Sequence, residues 1–236
     1  MRGDTTIQKF ATAGKTLLDN PSEIKFAAKW LRSLLPGHNP MADQQPWINF
    51  RATEWLESYL KPAMRVFEYG SGGSTLYLAK RVAQVVSVEH DESFYRFMAE
   101  RLRSTGIENC TYLLRVPISH TMANSPAYSC ESFTSEWPAQ KSMSFEAYVK
   151  AIDDYPDGRF DLVTVDGRAR PSCVLRALSK IKNGGWLLVD NMERARYGII
   201  RNLLDQYECI DYLGVVPSEP RPHRTSLWKI TNHFHG

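Results

Sequence analysis

From residue 64 onward the chain alternates short apolar runs with helical stretches, which restricts it to a mostly parallel sheet covered on both faces. Met64–Tyr69, Val85–Glu89 and Cys110–Arg115 read as the first three strands, with helices over Ser74–Val82 and Glu92–Ser104 between them. Phe160–Asp166 and Trp186–Asp190 continue the series, each followed by a helix, at Pro171–Ile181 and Glu193–Tyr207. Cys209–Val216 and Ser226–Thr231 then succeed one another with no helix between them. Such a pair must be antiparallel, because parallel neighbours need a long crossover. The expected fold class is α/β: a doubly wound, seven-stranded, mostly parallel sheet with a terminal antiparallel hairpin.

Residues 1–60 read as an N-terminal helical extension and 61–236 as the sheet domain. Asn20 can cap a first helix, with Pro21 at its first position and Glu23 bonding back as a capping box. Ile24, Ala27, Ala28, Leu31, Leu34 and Leu35 recur at helical spacing and form its expected buried face, until Pro36-Gly37 stops the run. A second helix is expected over Pro46–Tyr59. An excursion at 117–158 interrupts the sheet and carries Tyr128, Phe133, Trp137, Phe145, Tyr148 and Tyr155, with some helix around Phe145–Ile152.

The 236 residues carry a formal charge of +3, and the basic residues are scattered. No basic stripe marks a nucleic-acid surface, so nucleic acid is disfavoured as a partner. Cys110, Cys130, Cys173 and Cys209 lie far apart without a CxxC pair, which argues against a zinc site or disulfide framework. With no apolar leader and no stretch approaching a membrane span, the expected location is cytoplasmic, with no membrane partner.

The most informative residues are Glu68-Tyr69-Gly70-Ser71-Gly72-Gly73-Ser74-Thr75, where a strand runs through glycines into a helix. Glycine permits the turn and lets a ligand approach the backbone. In the dinucleotide fingerprint G-x-G-x-x-G a pyrophosphate sits here, but the third glycine position is Thr75 and Glu68 precedes the first glycine by two residues. A carboxylate beside a pyrophosphate is repulsive, whereas a cationic ligand welcomes it. Glu89 ends the second strand, where an acidic side chain can bond ribose hydroxyls. These features describe a site for a nucleoside that carries a cation and no phosphate.

The Glu-x-Gly-x-Gly run after strand one, with an acidic residue ending strand two, resembles the class I S-adenosylmethionine-dependent methyltransferases. The reversed terminal hairpin is similar too. The resemblance covers roughly residues 46–231 in element order and is sharpest at 66–91 and 160–191. It implies a Rossmann-like methyltransferase domain at 61–236, with S-adenosylmethionine as cofactor. The implied cofactor site takes in Glu68, Gly70, Ser71, Gly72, Ser74, Thr75, Glu89, His90 and Asp166, with Glu89 on the ribose.

Asp166 ends the fourth strand and Asp190-Asn191 the fifth, so three oxygen donors converge at one rim of the sheet. Hard cations favour such donors. The triplet is similar to the metal site of catechol-type O-methyltransferases, which implies Mg²⁺ on Asp166, Asp190 and Asn191. That group's lysine base, three residues after the first Asp, is replaced here by Ala169. Arg168 and Arg170 flank it. Neither can act as a base, but both can clamp an anion or stabilise an oxyanion. The alternative for Asp190-Asn191 is a helix-cap pair.

Methyl transfer mainly requires alignment of a nucleophile with the methyl group, and a base only where the nucleophile is poor. Asp166 and Arg168 are the candidate catalytic residues at the reaction edge. His90 and His120 are candidate bases, against the plainer reading of structural histidines. Trp137, Phe145 and Tyr148 can form an apolar pocket wall or a satellite core. Trp47 and Phe50 can border the pocket, and Arg221, His223 and Arg224, in an expected loop at Pro217–Arg224, can touch an acidic substrate. The resulting expectation is O-methylation of a small-molecule or sugar-like acceptor, in a chain that can also form a homodimer. An NAD-linked oxidoreductase and a catalytically silent nucleoside-binding protein remain the alternatives.

Overall fold

The computed structural model describes residues 11–231 apart from 13, 16, 17, 20, 120–128 and 136. Asn20, His120 and Tyr128, singled out above, lie outside the described residues. A 3₁₀ turn at Pro21–Phe26 leads into α1 (Ala27–Ser33), followed by α2 (Pro40–Asp43) and α3 (Phe50–Tyr59). Then come β1 (Arg65–Tyr69), α4 (Gly73–Ala79), β2 (Gln84–Glu89), α5 (Glu92–Ser104) and β3 (Cys110–Leu114). The excursion contributes a small antiparallel pair, β4 (Ile118–Ser119) with β5 (Met143–Ser144), and the short α6 (Glu146–Val149). The chain closes with β6 (Phe160–Val165), α7 (Arg170–Lys180), β7 (Ile181–Val189), α8 (Gly198–Leu203), β8 (Glu208–Val216) and β9 (Glu219–Ile230).

The main sheet has seven strands in the order β3-β2-β1-β6-β7-β9-β8. All neighbours are parallel except β7 with β9 and β9 with β8. This is the expected α/β architecture with its antiparallel end. Strand order reverses between β1 and β6, and ligands of open α/β sheets bind at such a switch point.

Both faces of β1 are covered, and the period of two sorts its residues. Phe67 and Tyr69 join a core with Val163, Val165, Val189 and the α7 residues Cys173, Val174 and Ala177. Val66 joins the opposite core with Ala52 and Leu56 of α3 and Leu78 of α4. Glu68, two residues after Val66, points to that second face and is 1% exposed. It is an ionisable side chain placed beneath the glycine turn.

The N-terminal helix buries the side opposite to the expected one. Glu23, Phe26, Trp30 and Ser33 are buried, whereas Ile24 is 56% exposed and Leu31 and Leu35 are exposed as well. The larger aromatics win the interface: Phe26 stacks on Phe50 at 5.5 Å, and Trp30 Nε1 donates to Glu219 O at 2.7 Å. Glu23 has a long-range role. Its carboxylate accepts from Val215 N at 3.0 Å and from Arg51 Nε, so it docks the extension on edge strand β8.

Other departures are local. α3 begins at Phe50 instead of Pro46, because Asn49 Oδ1 accepts from Ala52 N at 2.8 Å and caps it. After β7 only a 3₁₀ turn at Ala195–Tyr197 and the short α8 form where a longer helix was expected. The hairpin loop shrinks to Pro217-Ser218, with Ser218 at φ 62°, so Arg221, His223 and Arg224 belong to β9. No helix among the described residues is long and apolar enough to cross a membrane.

Candidate cofactor and acceptor site

Two loops meet at the switch point. Gly70 has φ +92°, and a Cβ added there would lie 2.8 Å from Gly167 Cα, so a side chain is excluded twice over. Beyond it, the turn is held from below. Glu68 Oε2 accepts from Thr75 Oγ1 and from Ser87 Oγ, each at 2.6 Å, and Thr75 Oγ1 accepts from Gly72 N at 3.0 Å. Thr75, in place of the third glycine, thus links the buried carboxylate to the turn backbone. Burial raises the Glu68 carboxyl to about 7, against the lowering effect of the nearby Ser74, Ser87 and Thr75 hydroxyls. Its Oε1 is buried without a partner, as is Thr164 Oγ1 beside the same small cavity, which Ser74 and Asp166 also line.

Glu89 ends β2 at the other side of the turn. Its Oε2 accepts from Ser71 Oγ at 2.8 Å and from Ser71 N at 3.3 Å. Its Oε1 accepts from His90 N at 2.7 Å and Asp91 N at 2.9 Å. Burial pushes this carboxyl up, but hydrogen bonds from His90 and from the Asp91 N–H outweigh it and leave Glu89 below its ordinary value. It is therefore an anion fixed in place. Ser71 Oγ also bonds Tyr112 OH at 2.7 Å, and Tyr112 stacks on Tyr95 at 4.5 Å. Sequence reasoning missed Tyr112, the middle residue of β3, which pairs with Ser87 two residues before Glu89 on the neighbouring strand.

His90 sits with this cofactor-side group. Its Nδ1 lies 2.8 Å from Glu89 Oε1, and its ring packs against Phe145 at 5.6 Å and Tyr148 at 5.8 Å. Phe145 and Tyr148 are fully buried core residues, not an open pocket wall. Trp137 differs: it is 40% exposed, with the Arg168 guanidinium 4.9 Å from its ring centroid. Arg168 Nε is buried with no hydrogen-bond partner among the described residues.

The strand ends beyond Asp166 are tied together by Arg170. It is 4% exposed, donates to Asp166 Oδ1 at 2.8 Å and to Gly167 O at 3.0 Å, and also donates to Asp190 O. Arg170 thus serves as an internal clamp and not as a substrate clamp. Asp190 is buried and accepts from Thr225 Oγ1 at 2.6 Å; burial first, and Asp166 second, raise its carboxyl to about 8. Asn191, in left-handed conformation at φ 59°, pairs its Nδ2 with His223 Nδ1 at 3.2 Å.

This arrangement does not fit Mg²⁺. The Arg170 guanidinium already supplies positive charge at Asp166 Oδ1, Asp190 Oδ1 is taken by Thr225 Oγ1, and Asn191 is engaged by His223. Among the described residues no group of three or more His, Cys, Asp or Glu is placed to hold a metal. Ala169, at the position of the lysine base, is buried and opens α7.

The residues do fit S-adenosylmethionine. The glycine turn leaves room for close approach, since a Cβ on Gly72 would meet only Ser74 Oγ, 3.8 Å away. Fixed carboxylate and unpartnered buried oxygens flank that turn. A sequence-family profile for protein-L-isoaspartate (D-aspartate) O-methyltransferase matches residues 30–119, the segment that carries the glycine turn and Glu89. Fold and matched segment both resemble those of S-adenosylmethionine-dependent methyltransferases.

Among solved structures the chain resembles the O-methyltransferase TomG from Streptomyces achromogenes, involved in tomaymycin synthesis and bound to S-adenosylmethionine. Identity is 16%, the TM-score 0.59, and 92% of this chain and 99% of that one are covered. A rRNA methylase from Streptococcus thermophilus shares 15% identity with a TM-score of 0.53 over 77% of this chain and 95% of that one. A Klebsiella pneumoniae protein described as an O-methyltransferase shares 17% with a TM-score of 0.52, over 94% and 96%. At these identities the likeness is one of fold. No curated protein sequence matches the chain significantly.

Proposed function

We propose that this chain is an S-adenosylmethionine-dependent methyltransferase that acts on an oxygen of a small polar acceptor, with Glu89 as the ribose ligand and Asp166 with Arg168 at the reaction edge. The observation that carries the reading is the Gly70–Gly167 contact, which sets the cofactor turn directly against the loop that bears Asp166 and Arg168. When bound, S-adenosylmethionine supplies an electrophilic methyl group on a sulfonium.

The chain's own residues position and shield. Ser71 and the His90 and Asp91 N–H groups hold Glu89 so that its carboxylate is preorganised. Glu68, through Thr75, keeps the turn in the shape that admits the cofactor. Arg170 keeps Asp166 at the end of β6. Arg168, braced on Trp137, offers its Nε–H to an acceptor oxygen or to a neighbouring anionic group. With Ala169 in place of a lysine and His90 beside Glu89, the arrangement suits an acceptor that attacks without a dedicated base.

The test is release of S-adenosylhomocysteine from S-adenosylmethionine over a panel of small hydroxy and carboxylic acids, with rRNA fragments alongside. Turnover on small acceptors supports the reading. Turnover on RNA alone overturns it.

A further inference from the structure

A cavity of about 420 Å³, with none of residues 70–72 in its lining, is lined by α1, the 38–46 segment, α3, the helix of the turn and the β8–β9 turn. That volume is within the usual range for small-molecule sites, roughly 300–1,000 Å³. Its walls are fixed to one another. Ser218 N donates to Ser33 Oγ at 2.8 Å, Trp47 Nε1 to Pro217 O at 2.9 Å, and Lys80 to Gln44 Oε1. It is therefore a formed chamber between elements and not a crease on one of them.

Its charge lining is unbalanced. Asp43 is taken by His38 at 2.8 Å and Glu54 by Lys25 at 2.6 Å. Of the acids that line the chamber, this leaves Glu57. Lys29, Arg32 and Arg81 face it with no carboxylate partner among the described residues. Arg81 is held in place, its guanidinium 3.6 Å from the Tyr77 ring centroid and its Nη1 donating to Tyr77 O at 3.0 Å. Apolar surface comes from Phe50, Tyr77, Pro40, Pro46 and Pro217.

We propose that this chamber is a second binding site, separate from the cofactor turn, for a small organic anion that carries a planar ring and a carboxylate or phosphate. Arg32, Arg81 and Lys29 supply the charge, and Phe50 with the prolines supplies the surface for the ring. Occupancy reaches the cofactor side through a short path. Pro40 and Gln45, which line the chamber, have carbonyls in contact range of a Cβ at Gly73, the first residue of the turn's helix. Pro46 borders both this chamber and the small cavity beside Glu68.

The test is an amide-resolved NMR titration of the full chain with phenyl phosphate and with benzoate, each with and without saturating S-adenosylhomocysteine. Benzylamine is the charge-reversed control. The expected result is saturable binding of at least one anion, with shifts at Thr53, Tyr77 and Gly73, retained when the nucleoside is present. Binding should weaken about tenfold in Arg32→Gln/Arg81→Gln and measurably in Arg32→Gln alone, whose exposed side chain makes no hydrogen bond or ion pair among the described residues. Preference between the two probes distinguishes a phosphate from a carboxylate ligand. Equal binding of benzylamine, displacement by the nucleoside, insensitivity to both variants, or no saturable binding of either anion would overturn the proposal.

Discussion

Gly70 and Gly167 touch across the switch point: a Cβ on Gly70 would lie 2.8 Å from the Gly167 Cα, at a φ of +92° that side chains rarely adopt. Each glycine therefore depends on the other for the closeness of the two loops. A Cβ on Gly167 would in turn meet the hydroxyl of the buried Tyr148. Gly70→Ala is expected to cost at least about 2 kcal/mol through backbone strain and collision. It should also weaken S-adenosylhomocysteine binding tenfold or more. Urea denaturation and calorimetry on the same variant check both effects.

Arg170 is the internal cation of the site. Arg170→Ala leaves the partly exposed Asp166 carboxylate, the Asp190 carbonyl and the Gly167 carbonyl without this donor, at an expected cost of about 1–3 kcal/mol. Because the guanidinium fills the role a metal would have, EDTA and added Mg²⁺ should leave the rate of methyl transfer unchanged. A rate restored by Mg²⁺ after EDTA treatment would contradict that reading.

The Glu68 carboxyl gives the cofactor-free protein a distinctive pH response. Burial raises it from the ordinary 4.5 to about 7, so the folded state binds this proton more tightly than the unfolded chain. Its contribution is fully present below about 4.5 and is lost as pH rises through 7. Glu68→Gln has no such proton to lose. Its stability relative to wild type should therefore increase between pH 5 and pH 8, by up to about 3 kcal/mol. Asp190, raised to about 8, adds to the same slope in both proteins, so their difference isolates Glu68. A difference that stays flat across this range contradicts the assignment.

Arg168 is expected to act on the acceptor and not on the cofactor. Arg168→Gln removes a charge-assisted donor worth about 1.5–3 kcal/mol and should raise the acceptor KM or lower kcat/KM by ~10–100-fold. S-adenosylhomocysteine affinity should be unaltered. Equal losses in both would place Arg168 in the fold instead.

The sheet was legible because its signals are local and redundant: each strand is a short apolar run, and the absence of a helix after Cys209 dictates the reversed end. The glycine turn was legible for the same reason, with Glu68 and Gly70 at the end of β1 and Glu89 at the end of β2. The extension was misread at Ile24 and Leu31 because helical spacing alone could not weigh them against Phe26 and Trp30, whose partners are distant in sequence. Mg²⁺ was inferred from Asp166 and Asp190-Asn191 as oxygen donors. Their actual state depends on Arg170, Thr225 and His223 arriving from α7 and β9, a tertiary fact that no motif records.

The most direct measurement is calorimetric titration of the protein with S-adenosylhomocysteine, in wild type and in Glu89→Ala, beside NAD⁺. Glu89 is held by Ser71 and by the His90 and Asp91 amides as a fixed anion at the end of β2, the place where a ribose is held. The expected result is micromolar binding of the homocysteine nucleoside by wild type, lost in the variant, and none of NAD⁺. Undiminished binding by Glu89→Ala would remove Glu89 from the site. Failure of wild type to bind the nucleoside, or binding of NAD⁺ in its place, would contradict the assignment of the cofactor.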